Sequence, residues 1–311
     1  MDIIHPDEHT FPLVQAFLEP HEEKCVLLCS HVRRHSEKIF IITDNKKADG
    51  HKGCPGTFIT ASHQPVTLKE HLTLSDILAV LYIDSTLFHY IPDVTNPQLD
   101  STALYSFIKK EMNGKKIKCV SGETKGTDYF INLLKNEGRE AYQINEYSLM
   151  EYGRQSSAYE KIQVPQLYND DQIIRCTEND IEELFQIQKQ YLQEEVAPKG
   201  KIVSDLEVKI SLRQILKNQL CLGLFSEGQV VAKANTNAIG INWIQIGGVY
   251  TAPLYRRNGY AQALIQTICR RGMKVGKKIA LFVKEKNMPA LELYKKLGFT
   301  PVTGYTIAYF K

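Results

Sequence analysis

The chain has 311 residues, 43% of them hydrophobic and 23% charged, with a formal net charge of +3. That length suits about two domains of ordinary size, each with its own core, and the composition excludes a disordered chain. No apolar run approaches the ~18 residues that span a bilayer, so no membrane partner is expected. Seven cysteines, an odd number without framework spacing, read as free thiols in a reducing compartment. The stretch 1–8 has neither the basic start nor the apolar core of a signal peptide, and the expected location is cytoplasmic.

In chain order, Cys25, Cys29, His31 and His35 share a helical spacing with exposed Arg33 and Arg34. This reads as a core helix rather than a zinc site, whose common spacing is tighter, and no metal is expected. Strands are predicted over 39–43, 57–61 and 77–83, with a Gly-rich hairpin loop at 49–56. A helix over 104–112, a strand over 117–120 and a helix over 129–136 follow. A polar stretch over 153–165 interrupts the apolar pattern and marks a boundary between domains at 1–160 and 166–311.

The second half reads more clearly. A strand over 172–176 precedes helices over 179–195 and 205–217. A hairpin joins strands 220–225 and 230–235, and a further strand covers 243–250. After a loop and a helix come a strand over 279–283, a helix over 289–297 and a strand over 305–310. This order is that of a mixed α/β domain. The first half loosely repeats its end: Lys115-Lys116-Ile117 echoes Lys277-Lys278-Ile279, and 147–152 echoes 305–310. Leu134 stands where the second half has Tyr294. The first half is therefore either a decayed copy of the second or an unrelated α/β domain with the same rhythm.

The most informative stretch is Arg256-Arg257-Asn258-Gly259-Tyr260-Ala261, between a strand and a helix. Such a turn leaves backbone N–H groups free at the positive end of a helix dipole, which suits an anion. Gly259 lets a diphosphate approach the backbone. Charge is also uneven along the chain. Residues 241–311 carry 12 Lys/Arg against 2 Asp/Glu, a net +10, and residues 166–210 carry 5 against 10, a net −5. A polyanion and a cation would suit these segments, although solvated helix faces give the same counts. Nucleic acid is not expected, because the basic residues lack interleaved aromatics.

Arg256-x-x-Gly259-x-Ala261 resembles the acyl-CoA pyrophosphate loop of the Gcn5-related N-acetyltransferases (GNAT). Asn287-x-x-Ala290-x-x-x-Tyr294-x-x-x-Gly298-Phe299 is similar to a second segment of that family, in the same order. The resemblance covers the last third of the chain strongly and the last half more loosely. It implies a mostly antiparallel central sheet flanked by helices, the acyl-CoA N-acyltransferase fold, behind a smaller or degenerate α/β domain. It also implies acetyl-CoA as co-substrate and a small-molecule or peptide amine as acceptor.

On that basis Arg256, Arg257, Asn258, Gly259, Tyr260 and Ala261 are expected to hold the diphosphate. Backbone groups of Val249, Tyr250 and Thr251 are expected to meet the pantetheine arm. Tyr294, whose phenol has an ordinary pKa near 10, is the expected proton donor to the departing thiolate. Asn287, two helical turns earlier, either contacts the cofactor or caps the helix. All nine histidines lie at or before His89, so the candidate bases in the second half are Glu194 and Glu195, then Asp205 or Glu207. The strand 243–250 carries no acidic residue, where many family members have one, and this leaves the base open between a carboxylate and a water wire. The expected activity is transfer of an acetyl group to a primary amine by direct attack. The alternative is an acyl-CoA-binding protein without catalysis. Acceptor and oligomeric state are not legible.

Overall fold

The computed structural model describes residues 1–44, 57–59, 65–67, 72–153, 167, 171–198 and 200–311. The loop expected over 49–56 and most of the boundary segment 153–165 lie outside them. The chain divides into two compact units, Met1–Ser148 with Thr303–Lys311, and Leu149–Val302.

In chain order the first stretch forms β1 (Asp2–Ile4), α1 (Phe11–Leu18), α2 (Val26–Val32), β2 (Ile39–Thr43), β3 (Thr57–Ile59), β4 (Pro65–Thr67), β5 (Ile77–Ile83) and β6 (Thr86–Tyr90). Then come α3 (Ser101–Met112), β7 (Cys119–Glu123), α4 (Thr124–Asn136) and β8 (Ala141–Tyr152). The remainder is β9 (Gln172–Arg175), α5 (Ile181–Tyr191), α6 (Asp205–Asn218), β10 (Cys221–Ser226), β11 (Gln229–Ile239), β12 (Trp243–Thr251), α7 (Tyr260–Lys274), β13 (Lys278–Lys284), α8 (Met288–Lys296) and β14 (Phe299–Phe310).

The sheet of the first unit has the order β4-β3-β1-β2-β5-β6-β7-β14. Its pairings are antiparallel from β1 to β6, and β6 runs parallel to β7. Its last strand is the end of the chain: residues 305–309 of β14 pair antiparallel with Cys119–Glu123. One face packs on α3 and α4 through Leu104, Ile108, Phe130 and Leu134. The other packs on α1 and α2 through Val14, Leu18, Leu28 and Cys29. Cys25 and Cys29 thus belong to a helical core face, and the His31 ring stacks on Tyr82 at 3.8 Å.

The sheet of the second unit has the order β9-β10-β11-β12-β13-β8. Its pairings are antiparallel from β9 to β12, and β12 runs parallel to β13. Leaving out the β3–β4 hairpin, the two units follow the same order: strand, two helices, three strands, helix, parallel strand, helix. The two units thus share one order of elements.

Local sequence explains the elements that matter most. In α7, Tyr260, Leu264, Ile265, Ile268, Cys269 and Gly272 recur every three or four residues and are all buried. Each fully buried aliphatic side chain contributes about 1.5–3 kcal/mol. Gly272 brings the helix close to the sheet, since a Cβ there would lie 2.6 Å from Ile279 Cδ1. Ser204 and Glu207 form a reciprocal cap at the start of α6.

The units differ where the parallel strands part. In the second, the β12–β13 register ends at Ile246↔Leu281, and the next residues on β12 are Gly247 and Gly248. In the first, the β6–β7 register ends at Phe88↔Ser121, and the next residue on β6 is His89. Its buried ring lies against the backbone of Gly122 and Gly126, where added Cβ atoms would come within 2.4 and 2.5 Å. The imidazole thus lies just past the last parallel pair, between β6, Gly122 of β7 and Gly126 of α4.

Phe310 is 3% exposed and lies in the core under α3 and α4. Phe310→Ala should destabilise the first unit by about 3–5 kcal/mol and speed amide exchange over residues 119–123. Unchanged protection of those amides in hydrogen-exchange measurements would contradict the pairing of β14 with β7.

Candidate active site

The site is built on the end of β12. Past Ile246 this strand has no registered partner on β13, and the backbone of 247–251 borders the gap. On its other side the register with β11 slips, from Asn235↔Gly247 to Lys233↔Tyr250, so β12 holds one extra residue. Gly248, at φ +56, forms this bulge. It is also a close contact: a Cβ there would meet Asn235 Oδ1 at 1.9 Å. Gly248 thus serves as a bulge and as a close approach at the same turn.

Beyond β12, Arg257 and Gly259 both have left-handed backbone, φ +68 and +78. For a non-glycine residue this costs roughly 1–2 kcal/mol. Consecutive N–H groups in such a turn form a concave anion cradle. Gly259 precedes α7 without a side-chain cap, and the first turn of α7 has no acidic residue. Its N–H groups and dipole are thus directed at the loop. Tyr260 is buried in the core, so its part in the cradle is limited to its backbone, while Arg257 and Asn258 are exposed.

Arg256 is already engaged. Its Nε donates to Thr251 O at 3.1 Å and its Nη2 to Glu194 Oε2 at 2.8 Å. The other carboxylate oxygen, Oε1, accepts from Tyr250 Oη at 2.6 Å. Burial raises the Glu194 pKa, and the hydrogen bonds from Tyr250 and Arg256 outweigh it, so the carboxyl sits below its ordinary value. Burial and the bond to Glu194 push the Tyr250 phenol up to about 12. Glu194 and Glu195 both lie in a π-helical turn, Leu192–Val196, that ends the helix of α5. Such turns re-aim side chains at helix ends.

Tyr294 comes from the middle of α8, is 7% exposed, and packs edge-on against Phe299. Burial raises its pKa, and the neighbouring Tyr191 and Glu195 add to the shift, so the phenol keeps its proton at neutral pH. Glu195 accepts from Lys284 Nζ at 3.2 Å. Asn287 is the cap of α8, its Oδ1 accepting from the backbone N–H of Ala290 at 3.2 Å, and Pro289 stands in the first turn.

Glu194, Tyr250, Thr251 and Arg256 are thus joined by direct contacts, and Glu195 lies near Tyr294. Asp205 and Glu207 serve elsewhere. Asp205 pairs with Lys189, and Glu207 caps α6 and pairs with Lys201. Sequence reasoning missed Lys233, Asn235, Tyr191 and Lys284. Lys233 is 0% exposed; its Nζ donates to Asn235 Oδ1 and Gly248 O, both at 2.9 Å, and lies 4.8 Å from the centre of the Tyr191 ring. The signal was a lysine inside the apolar run Val230-Val231-Ala232-Lys233-Ala234 of a central strand. Among the described residues no cluster suits a metal ion, and no helix is long and apolar enough to cross a membrane.

Residues 181–299 match the family model of the acetyltransferase (GNAT) family. No curated protein matches the chain. Among solved structures, a Drosophila protein aligns over 99% of both chains at 13% identity, with a TM-score of 0.62. A GCN5-related N-acetyltransferase from Sphaerobacter thermophilus aligns over 98% of this chain and 94% of its own at 12% identity, with a TM-score of 0.51. One from Kribbella flavida aligns over 75% and 86% at 15% identity, with a TM-score of 0.50. At these identities the likeness is one of fold. The family match alone assigns residues 181–299, as a domain that matches the acetyltransferase (GNAT) family.

Proposed function

We propose that the second unit transfers an acetyl group from acetyl-CoA to a primary amine by direct attack. The observation that carries this reading is the conjunction that follows Ile246: β12 parts from β13, bulges at Gly248, and leads through the left-handed turn at Arg257 and Gly259 into an uncapped α7. The chain fits the co-substrate, since Gly259 gives α7 no side-chain cap and its first turn carries no acidic residue. The loop 256–261 would hold the diphosphate, and the backbone of 249–251 would meet the pantetheine amides.

The amine attacks the thioester carbonyl and the C–S bond breaks. The buried, protonated Tyr294 supplies a proton to the thiolate, and the proton that the attacking nitrogen sheds leaves through water and restores the Tyr294 phenol. Cys269 is buried inside α7 and takes no part as a nucleophile. Glu194, which accepts from both Tyr250 and Arg256, orients the rim of the site rather than taking a proton. Arg256 can leave it cheaply. The pair is half exposed, at 49% and 43%, and such pairs are worth about 0–1 kcal/mol. A diphosphate can therefore draw the guanidinium away.

A second reading, an acyl-CoA-binding protein without catalysis, is favoured by one observation: Glu194 is fully engaged and β12 carries no acidic side chain. Release of free CoA across a panel of amines separates the two. No release with any amine, despite tight acetyl-CoA binding, would support the second.

Acetyl-CoA should raise the melting temperature of the intact protein, by about 2.7 kcal/mol of added stability at 100 times Kd. Gly259→Glu adds bulk and like charge at the cradle and should abolish the shift; a retained shift would move the site elsewhere. Tyr294→Phe keeps the ring and removes the proton. With the best amine of the panel it should lower kcat by about 10²-fold with KM for acetyl-CoA little changed. A kcat within twofold of wild type would leave Tyr294 a packing residue. Because His89 fills the corresponding gap of the first unit, calorimetry should count one acetyl-CoA per chain. Two sites would contradict that role for His89.

A further inference from the structure

A fully buried lysine is an expensive residue, because removing an ammonium from water costs several kcal/mol after relaxation. Lys233 meets this cost without a carboxylate among the partners named above: two neutral oxygens and one ring face lie against its Nζ, with the Cys221 and Cys176 thiols in electrostatic range. What marks Lys233 is its position, because one of the two oxygens belongs to the bulge residue Gly248.

We propose that Lys233 is a positioning residue: by holding and polarising the Gly248 carbonyl, it turns the Val249 N–H into the donor that receives the acyl oxygen. This rests on the acetyl-transfer reading above. The Gly248–Val249 peptide is trans, so its C=O and N–H point opposite ways. A carbonyl drawn toward Lys233 sends the N–H away from Lys233. A donor on the carbonyl also draws electron density through the amide and strengthens the N–H as a donor. As the amine adds, negative charge grows on the acyl oxygen, and a donor fixed in advance stabilises it most at that moment.

Three features of the fold serve this arrangement. The extra residue of the bulge frees the Gly248–Val249 peptide from the ladder with β11. Only a residue without Cβ fits at φ +56 against Asn235 Oδ1 and Lys233 Nζ, the latter 2.9 Å from the Cβ position. Asn235, whose Nδ2 donates to Thr236 O at 2.9 Å, is itself anchored and fixes Lys233 from the other side. The Tyr191 ring, with its negative face, covers the remaining side of the ammonium.

The test uses acetyl-CoA carrying 13C at the thioester carbonyl, with its stretching frequency read by infrared difference spectroscopy and its Kd by calorimetry. In the wild type the bound carbonyl should absorb at lower frequency than in free acetyl-CoA. Lys233→Met should lose at least about half of that shift while Kd changes less than about threefold, and kcat should fall by about 10²–10³-fold. Lys233→Gln keeps an uncharged donor and should fall between the two. It also serves if the Met variant, with two oxygens left unpaired, does not fold, as judged by circular dichroism and melting. A wild-type shift in either folded variant overturns the role of Lys233, even if kcat falls. A wild type that does not bind acetyl-CoA overturns the acetyl-transfer reading as well.

Discussion

The parallel pairing of β12 and β13 stops at Ile246 and Leu281, and the rest of the site answers to the backbone that β12 then presents. Polar backbone groups near a core must find partners, and an unmade hydrogen bond there costs about 1–3 kcal/mol. The chain meets this demand from three directions. Lys233 takes the carbonyl of Gly248, Arg256 takes the carbonyl of Thr251, and a bulge rotates the peptide between them. In the first unit the corresponding place, just past the last parallel pair, is taken by the His89 ring against Gly122 and Gly126.

Charge near the site is arranged as pairs with one exception. Glu194 faces Arg256, and Glu195 faces Lys284, across rims that water still reaches. Exchanging such partners costs little, so an incoming anion or amine can replace one without a large penalty. Lys233 is the exception, buried and held by two oxygens and a ring face, with the Cys221 and Cys176 thiols nearby. The acidic segment 166–210 owes its charge largely to other work: Asp180 and Glu207 cap helices, and Asp205 and Glu182 pair with lysines.

The second half was legible because its signals are local. Alternation over 220–250, the turn at 226–229 and the Arg256–Ala261 loop each depend on a few neighbouring residues, and the element order expected from them is the order found. Tyr294 was legible for the same reason, two turns after Asn287 on one short helix. What escaped was set by pairing. Lys233 acquires its role from Gly248, fifteen residues away on the next strand, through a slip in register that leaves no mark in the sequence of β11. The helix expected over 179–195 is continuous in periodicity, yet it closes with a π turn that alone decides where Glu194 and Glu195 point. The echo between 147–152 and 305–310 was visible. Nothing local said that the sheet of the first unit would be finished by the second of these segments.

That last strand has a consequence for the order in which the protein is made. Ser121 and Tyr305, joined through their hydroxyl groups in the first unit, are 184 residues apart in the chain. A ribosome therefore completes β7 long before the strand that pairs with it exists. The second unit has no such delay, since β8 precedes all its other strands and Leu149–Val302 is contiguous. The half that is translated first is the half that can be completed last. During synthesis β7 waits with an unpaired edge, the kind of exposed template on which chains aggregate or attract chaperones.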